Sequence, residues 1–220
     1  MGLAGLWLNL RSRTKRGKMH RRSFLWAGAV TLALTLFAAP DRIAANGTIV
    51  TLPVPDTSGG RPLMACLKDR KSERHLAGDD ISLPELSSLL WAGFGVNRAD
   101  GRHVVPTARN EQKVRLLVVL GDGVWQYLPE KNSIEKVLDG DQRRRFDNAS
   151  LILLYAAPAG ELFSGMQVGS MYQNVALYCA SEGLPNCVKY SHHDALDGQL
   201  KLPKGWKVLI TQSIGSVHSH

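Results

Sequence analysis

Cysteine is scarce in this chain, which has 3 cysteines among its 220 residues. That count is far too low for a disulfide-stapled miniprotein, and no two cysteines stand at C-x-x-C spacing. We therefore expect packed thiols, with a Cys179–Cys187 disulfide as the alternative in an oxidising compartment. The 44% of hydrophobic residues exclude a disordered chain, and the 21 glycines without a three-residue period exclude a collagen-like one. The length predicts one domain of typical size with room for an appendage.

Net charge is nearly absent from most of the chain. Of the formal charge of +8, all but one unit comes from residues 1–45, which hold eight basic residues and one acidic residue. The remainder has 19 basic and 18 acidic residues, a net charge of +1. A domain that binds nucleic acid needs its positive field on the folded part, so we exclude nucleic acid as a partner.

A cluster of metal-binding residues is also lacking. His192 and His193 are adjacent and so point apart on a helix or a strand. No Asp, Glu or Cys cluster completes a zinc-like spacing with them, or with His218 and His220. We expect no metal. A metal-dependent enzyme remains a third alternative, which stoichiometric metal in the purified protein would reveal.

The N-terminal segment has the features of an export signal. A basic stretch at residues 11–22 precedes an apolar run at residues 24–39, shorter than the ~20 residues of a comfortable bilayer span. The pentapeptide at residues 21–25, Arg-Arg-Ser-Phe-Leu, resembles a twin-arginine translocation signal, although His20 and Trp26 depart from the usual pattern. Met19 is an alternative start.

This segment predicts the organisation and location of the protein. We expect a leader at residues 1–45, an extended arm at residues 46–61 and one domain at residues 62–220. An exported, periplasmic protein is expected, without a stable membrane anchor after cleavage. Because residues 45–47 form a mediocre cleavage site, an uncleaved membrane anchor is the alternative. Export of a folded protein suits a cofactor that is loaded in the cytoplasm.

The predicted elements of the domain indicate an α+β fold. A short helix is predicted over residues 62–70, and a second one begins at Ser82, which forms a capping box with Glu85. Its apolar residues recur at three- and four-residue spacing up to the stop at Gly95; they are Leu83, Leu86, Leu89, Leu90 and Phe94.

Strands and a long helix follow. Strands are predicted at residues 114–120 and 124–128, joined as a hairpin, and at residues 150–156, whose unbroken apolar run indicates burial on both faces. Residues 169–183 are apolar almost all round, which predicts a helix buried in a core or at an interface. A short polar helix is expected between the last strands, which lie at residues 187–190 and 206–213.

Three stretches suggest a binding site, each with a plainer alternative. Residues 68–74 hold four cations and a hydroxyl that suit a phosphate, or are a solvated charge run. Residues 106–112 suit a rigid loop that bonds the polar edge of a ring, or are a turn. Gly183 and Leu184 permit close approach of a flat ligand, or cap a helix. We interpret the Arg triplet at residues 143–145 as a solvated helix face and Trp91 as a core residue.

In combination, the motifs resemble the FMN-dependent nitroreductase family, in particular its exported single-domain bacterial branch. The strongest are LLWAGFGVNR at residues 89–98, PTARN at residues 106–110 and QNVALYCASEGL at residues 173–184. The resemblance runs from Arg61 to Gly215.

The resemblance implies a mixed β-sheet flanked by helices, and a homodimer with two FMN molecules at the subunit interface. Helix 169–183 would be its long central helix. The implied FMN-binding residues are Arg70, Lys71, Ser72 and Arg74 on the phosphate and ribityl chain, Pro106, Thr107, Ala108 and Asn110 from the partner subunit, and Gly183 and Leu184 near the ring. NAD(P)H or another donor would reduce the flavin, which would pass electrons to a nitroaromatic or quinone-like acceptor in a ping-pong scheme. No catalytic acid or base is required.

Several residues depart from the family pattern. The link between Tyr155 and Gln173 is short, no cation follows Gly215, Lys71 replaces the more usual Arg, and Glu111 stands where an aromatic is common. The first three of these departures favour an alternative function, an exported non-catalytic binding or scaffold protein. Nicotinamide is not expected to be freely available outside the cytoplasm, so either the physiological donor differs or export does not occur.

Overall fold

The computed structural model describes residues 47–76, 79–147 and 149–216, which form a seven-stranded sheet and three α-helices. The leader and its twin arginine lie outside these residues. The elements are β1 Ile49–Thr51, α1 Leu63–Asp69, α2 Leu83–Phe94, β2 Arg115–Leu120, β3 Gly123–Leu128, β4 Ser133–Asp139, β5 Leu151–Pro158, α3 Leu162–Glu182, β6 Asn186–Lys189 and β7 Trp206–Ile214. The α+β class is confirmed. All described strand pairs are antiparallel, so the sheet is not mixed.

β5 lies at the centre of the sheet, whose order is β1-β4-β3-β2-β5-β7-β6. Its residues are buried from Leu151 to Ala157, as the continuous apolar run predicts. Alternate side chains enter two cores. Leu153 and Tyr155 belong to the core under α2 and α3, while Ile152 and Leu154 face a second core that contains Phe146.

The sequence signals of α2 are confirmed at both ends. The Ser82 side chain accepts from the backbone of Glu85, and the Glu85 carboxylate accepts from the backbone of Ser82. The helix ends before Gly95, where an added Cβ would overlap the ring of Trp91. Leu83 is exposed, so the apolar face begins at Leu86.

α3 starts seven residues earlier than the predicted residue 169, which corrects the expectation for this segment. The link expected between Tyr155 and Gln173 consists of the end of β5, a short turn and the first turns of the helix. Gly165 and Gly169 lie within the helix, where a glycine costs only about 1 kcal/mol relative to alanine. Burial of Val168 and Met171 against the sheet outweighs that cost.

Two further expectations need correction. Residues 191–199 form successive turns where a short helix was predicted, and β4 was not predicted at all. β4 has a mixed polar sequence and is held by backbone pairing with β1 and β3. The cysteines are buried and free, as packed thiols. Among the described residues, no helix has both the length and the apolar character to span a membrane.

The extended arm crosses the helices after pairing with the sheet edge. β1 pairs with β4, and the Ser87 hydroxyl donates to the carbonyl of Pro53 at 2.5 Å. Further along, the Asp56 amide donates to Ser88 Oγ at 3.0 Å, and the Arg61 amide donates to Ser181 Oγ at 2.8 Å. The arm therefore runs from the sheet edge over α2 to the C-terminal end of α3.

Candidate functional site

A cleft of about 160 Å³ lies at the C-terminal end of α3. The base of the arm, the end of α1 with the segment after it, and the turn from α3 into β6 form its walls. Its lining residues are Arg61, Asp69, Arg70, Lys71, Glu73, Cys179, Ala180, Gly183, Leu184 and Asn186.

Local backbone geometry places the two sides of this cleft. α1 ends at Asp69 because Arg70 has ψ near 124°, outside the helical region. The segment after it is tied to β6, since the Glu73 amide donates to the Asn186 carbonyl at 2.8 Å. On the other side, Gly183 ends α3 with a positive φ of 75°, which glycine adopts without strain.

The cleft lining is rich in charge. Arg61 forms an ion pair with Asp69, and Lys71 Nζ lies 3.4 Å from a carboxylate oxygen of Glu73. In the described part of the chain, Arg70 has no carboxylate partner and its side chain is exposed. The hydrogen bond from Arg61 holds the pKa of Asp69 below its ordinary value, so Asp69 is ionised at neutral pH.

Four of the predicted binding residues meet in this cleft, namely Arg70, Lys71, Gly183 and Leu184. Ser72 and Arg74 belong to the same segment but do not line it. For Gly183 both interpretations hold, because it caps α3 and also faces the cleft.

The remaining predicted residues, Pro106, Thr107, Ala108 and Asn110, lie outside the cleft. They belong to a loop with a single 3-10 turn over Ala108–Asn110. Three non-glycine residues in this loop have left-handed backbones: Arg109 at φ 54°, Asn110 at φ 56° and Gln112 at φ 51°. Each such residue costs about 1–3 kcal/mol, and strain of this kind clusters at ligand-binding sites.

Gln112 holds the strained loop in place. Its Nε2 donates to the carbonyl of Gly101 at 3.2 Å and to Asn110 Oδ1 at 3.3 Å. One side chain thus connects the loop with the turn that follows α2. The N-x-Q spacing of Asn110 and Gln112 was present in the sequence, but we did not predict that Gln112 positions the loop.

The loop lies toward the opposite end of α3 from the cleft. The loop leads into β2, whose first residue, Arg115, pairs with Ala156 near the end of β5, and α3 begins at Leu162, shortly after β5 ends at Pro158. Since α3 has 21 residues, its ends are about 30 Å apart. Within one chain, the two groups of predicted residues therefore lie at opposite ends of this helix.

Exposed apolar side chains accompany the helices in two groups, which together are called the apolar surface. One group lies on α1, near the cleft, and the other lies on the first turns of α3, toward the opposite end of that helix. On α1 it includes Met64, which is 75% exposed, and on α3 it includes Leu162, which is 70% exposed. The other members are Leu63, Leu67, Phe163 and Met166. Large exposed apolar patches mark interaction surfaces.

Arg143 corrects the expectation of a solvated helix face. Its side chain is only 19% exposed and forms ion pairs with Asp80 at 2.6 Å and Asp141 at 2.9 Å. It also donates to the carbonyl of Ser150 at 3.1 Å. Arg143 is therefore a structural residue, whereas Arg144, next to it, is exposed.

Two other candidate residues, Cys179 and Trp91, have structural roles. Burial raises the pKa of the Cys179 thiol well above its ordinary range, so it is not a thiolate. Trp91 is partly buried, and its Nε1 donates to the Val96 carbonyl at 3.1 Å. Within residues 47–76, 79–147 and 149–216, no three His, Cys, Asp or Glu side chains are arranged to hold a metal ion. His218 and His220 lie outside that range.

Comparison with known proteins agrees with these features. Residues 67–216 match the sequence model of the Nitroreductase family. A nitroreductase-type protein of Methanocaldococcus jannaschii is 29% identical over 164 residues, which cover 63% of this chain and 82% of that protein. A nitroreductase-type crystal structure from Ralstonia eutropha JMP134 superposes with a TM-score of 0.71 at 33% identity, covering 78% of this chain and 90% of that one. A Desulfovibrio desulfuricans structure in complex with FMN shares the fold, with a TM-score of 0.51 at 16% identity over 74% of this chain and 93% of that one.

Proposed function

Because this chain belongs to the nitroreductase family, we propose that it is an FMN-dependent oxidoreductase that functions as a homodimer. The observation that carries the proposal is the separation of its predicted binding residues. A cationic cleft lies at one end of α3, and a strained polar loop lies toward the other. Two copies with antiparallel α3 helices would bring the cleft of one against the loop of the other.

The chemistry of the cleft fits the phosphate of FMN. A phosphate monoester carries a charge of about −1.5 to −2 near pH 7 and accepts several strong hydrogen bonds. Arg70 offers an exposed guanidinium fork, and Lys71 adds a point charge. Ser72 and Arg74 extend the same segment toward the ribityl chain in this proposal.

The size of the cleft supports a shared site. Its volume of about 160 Å³ is below the ~300–1,000 Å³ of typical ligand pockets, so one chain holds part of the cofactor. The apolar surface gives a partner subunit something to bury. An added Cβ at Gly165 would meet none of the described residues within 4 Å, which leaves room for a closely packed partner helix.

When bound, FMN would supply the transfer of hydride and electrons between donor and acceptor. Arg70 and Lys71 would hold its phosphate, and Gly183 and Leu184 would let the backbone approach the flavin. The loop from Pro106 to Asn110 would orient the ring from the partner subunit. The carboxylates of the cleft are paired with cations, so these residues bind and orient rather than move protons.

In this proposal NAD(P)H or another donor reduces the enzyme, and a nitroaromatic or quinone-like compound accepts the electrons. Protein purified without its leader should be yellow and should release FMN on denaturation. A colourless preparation that cannot be reconstituted with FMN would overturn the proposal. Bound FMN that exchanges electrons with neither NAD(P)H, dithionite nor any acceptor would instead favour the non-catalytic binding protein.

We also propose that the leader exports the folded protein to the periplasm. The support is the Arg-Arg-Ser-Phe-Leu stretch at residues 21–25 followed by an apolar run. Replacing Arg21 and Arg22 together with lysine should retain the protein in the cytoplasm. Cell fractionation tests this, and unchanged export of the double variant would contradict it.

A further inference from the structure

Arg61 brings a third cation to the cleft from outside the 68–74 segment. It is the last residue of the arm, and its amide donates to Ser181 Oγ at 2.8 Å. Gly60 precedes it with φ 101°, and an added Cβ there would lie 2.9 Å from the same hydroxyl. The end of the arm is thus held tightly against the last turn of α3.

The charges of the lining residues show what Arg61 contributes. The lining holds three cations, Arg61, Arg70 and Lys71, against two carboxylates, Asp69 and Glu73, so its net charge is +1. Without Arg61 the lining would be neutral. Recognition of a phosphate monoester, with its charge of about −1.5 to −2, therefore depends on this residue to make the cleft positive.

The guanidinium of Arg61 also has N–H groups that could donate hydrogen bonds to a ligand. Nη1 donates to the Ala180 carbonyl at 3.1 Å, and Nη2 donates to Asp69. A guanidinium has five N–H groups, so three have no acceptor among the described residues, and the side chain is 46% exposed. Arg61 can bind an anion in the cleft while both existing contacts keep it in place.

We propose that Arg61 is a further ligand of the FMN phosphate, and that Asp69 weakens binding by offsetting its charge. This inference rests on the function proposed above. The arm thus supplies a phosphate ligand from outside the 68–74 segment.

Equilibrium titration of the full mature protein with FMN and with riboflavin tests the inference, because riboflavin lacks the phosphate. Arg61→Gln should weaken FMN binding by roughly tenfold, the effect of one charge-assisted hydrogen bond, and leave riboflavin binding unchanged. Asp69→Asn should tighten FMN binding by a few-fold and again leave riboflavin unchanged. Arg144→Gln is the matched control, since Arg144 is exposed and does not line the cleft.

The outcomes are distinguishable. Equal losses for both flavins in Arg61→Gln would mean that the residue only anchors the arm, which overturns the inference. Unchanged FMN binding in that variant, or weaker FMN binding in Asp69→Asn, would also overturn it. If the unmodified protein binds neither flavin, the proposed function itself fails. Exposed ion pairs contribute little to stability, so both variants should melt near the unmodified protein.

Discussion

The two ends of α3 are surrounded by different kinds of residues. At the C-terminal end, a glycine cap and paired charges surround a cleft, and hydrogen bonds of the arm fix its wall. Toward the N-terminal end, a strained loop is held by Gln112, and apolar side chains such as Leu162 are exposed. One end suits the recognition of charge and the other suits the recognition of shape. A ligand with an anionic tail and a flat ring needs both, which about 30 Å of helix keeps apart in one chain.

The largest effect is expected from Met166→Glu, which would disrupt the proposed contact between subunits. Met166 is 58% exposed on the apolar surface. Burying an unpaired carboxylate in an interface costs several kcal/mol, so the dimer should weaken by at least about 100-fold. FMN binding should fall with it, because each site would lose the partner's loop. Sedimentation and flavin titration over a range of protein concentrations measure both effects.

Ile49→Glu is the control for that change. Ile49 is also exposed, but it lies on β1, at the edge of the sheet opposite β6. It should leave the assembly state and flavin affinity unchanged. A protein that is monomeric before any substitution, yet binds FMN fully, would contradict the shared site.

Arg70→Ala should have the next largest effect and should act on the charge-recognising end alone. Loss of charge-assisted bonds worth ~1.5–3 kcal/mol predicts a ten- to hundredfold weaker FMN affinity. Riboflavin affinity should not change, and the apo fold should survive because Arg70 is exposed. Isothermal titration with the two flavins measures the difference. Arg144→Ala is a suitable control, whereas Arg143→Ala is not, because its ion pairs are structural. Equal FMN affinities of Arg70→Ala and the control would mean that residues 68–74 form only a solvated surface.

Gln112→Ala tests the other end of α3, where Gln112 holds the strained loop. The variant loses hydrogen bonds to Gly101 and Asn110, with a net effect of about 1 kcal/mol on the order of the loop. FMN and riboflavin should then bind about fivefold more weakly, and to the same degree. Parallel titrations decide the matter. A loss confined to FMN would place Gln112 at the phosphate and remove the distinction between the two ends.

The smallest effect on flavin binding is expected at Asp147, which does not line the cleft. Burial alone would raise the pKa of Asp147, but bonds from Lys189 and Ser213 outweigh it and lower the pKa. A lowered pKa means stability that is present at neutral pH and lost as pH falls below the ordinary value of 3.8. Asp147→Asn should flatten this acid dependence and leave neutral flavin binding unchanged. Urea unfolding across acidic pH checks it, and an unaltered pH profile would contradict the assignment.

Local signals in the sequence were sufficient for part of the fold. Ser82 and Glu85 lie three residues apart and cap α2 by themselves, and the apolar run of β5 needs no partner to indicate burial. β4 and the start of α3 depend instead on distant contacts. The glycines of α3 argued against a helix, and only packing on the sheet overrides them.

The candidate site likewise contains some residues that local motifs identify and others that depend on distant contacts. Arg70, Lys71 and Gly183 could be chosen because short motifs contain them. Arg61 could not, since its partner Ser181 is 120 residues away in sequence. Arg143 was misjudged for a similar reason, because Asp80, which pairs with it, is 63 residues away. Sequence spacing identifies contacts between residues that are close in sequence, whereas Arg61 and Arg143 contact residues that are distant in sequence and close only in the folded chain.

The arm also affects the rate at which a ligand would leave the cleft. The amides of Asp56 and Arg61 donate to hydroxyls of Ser88 and Ser181 and not to a neighbouring strand. Bonds of this kind break by local opening, while β5, buried on both faces, opens only with the whole domain. Because Arg61 moves with the arm, a bound phosphate monoester would lose one of its ligands each time the arm lifts. The dissociation rate of such a ligand would then follow the hydrogen–deuterium exchange of these two amides, and cofactor loss would proceed without unfolding.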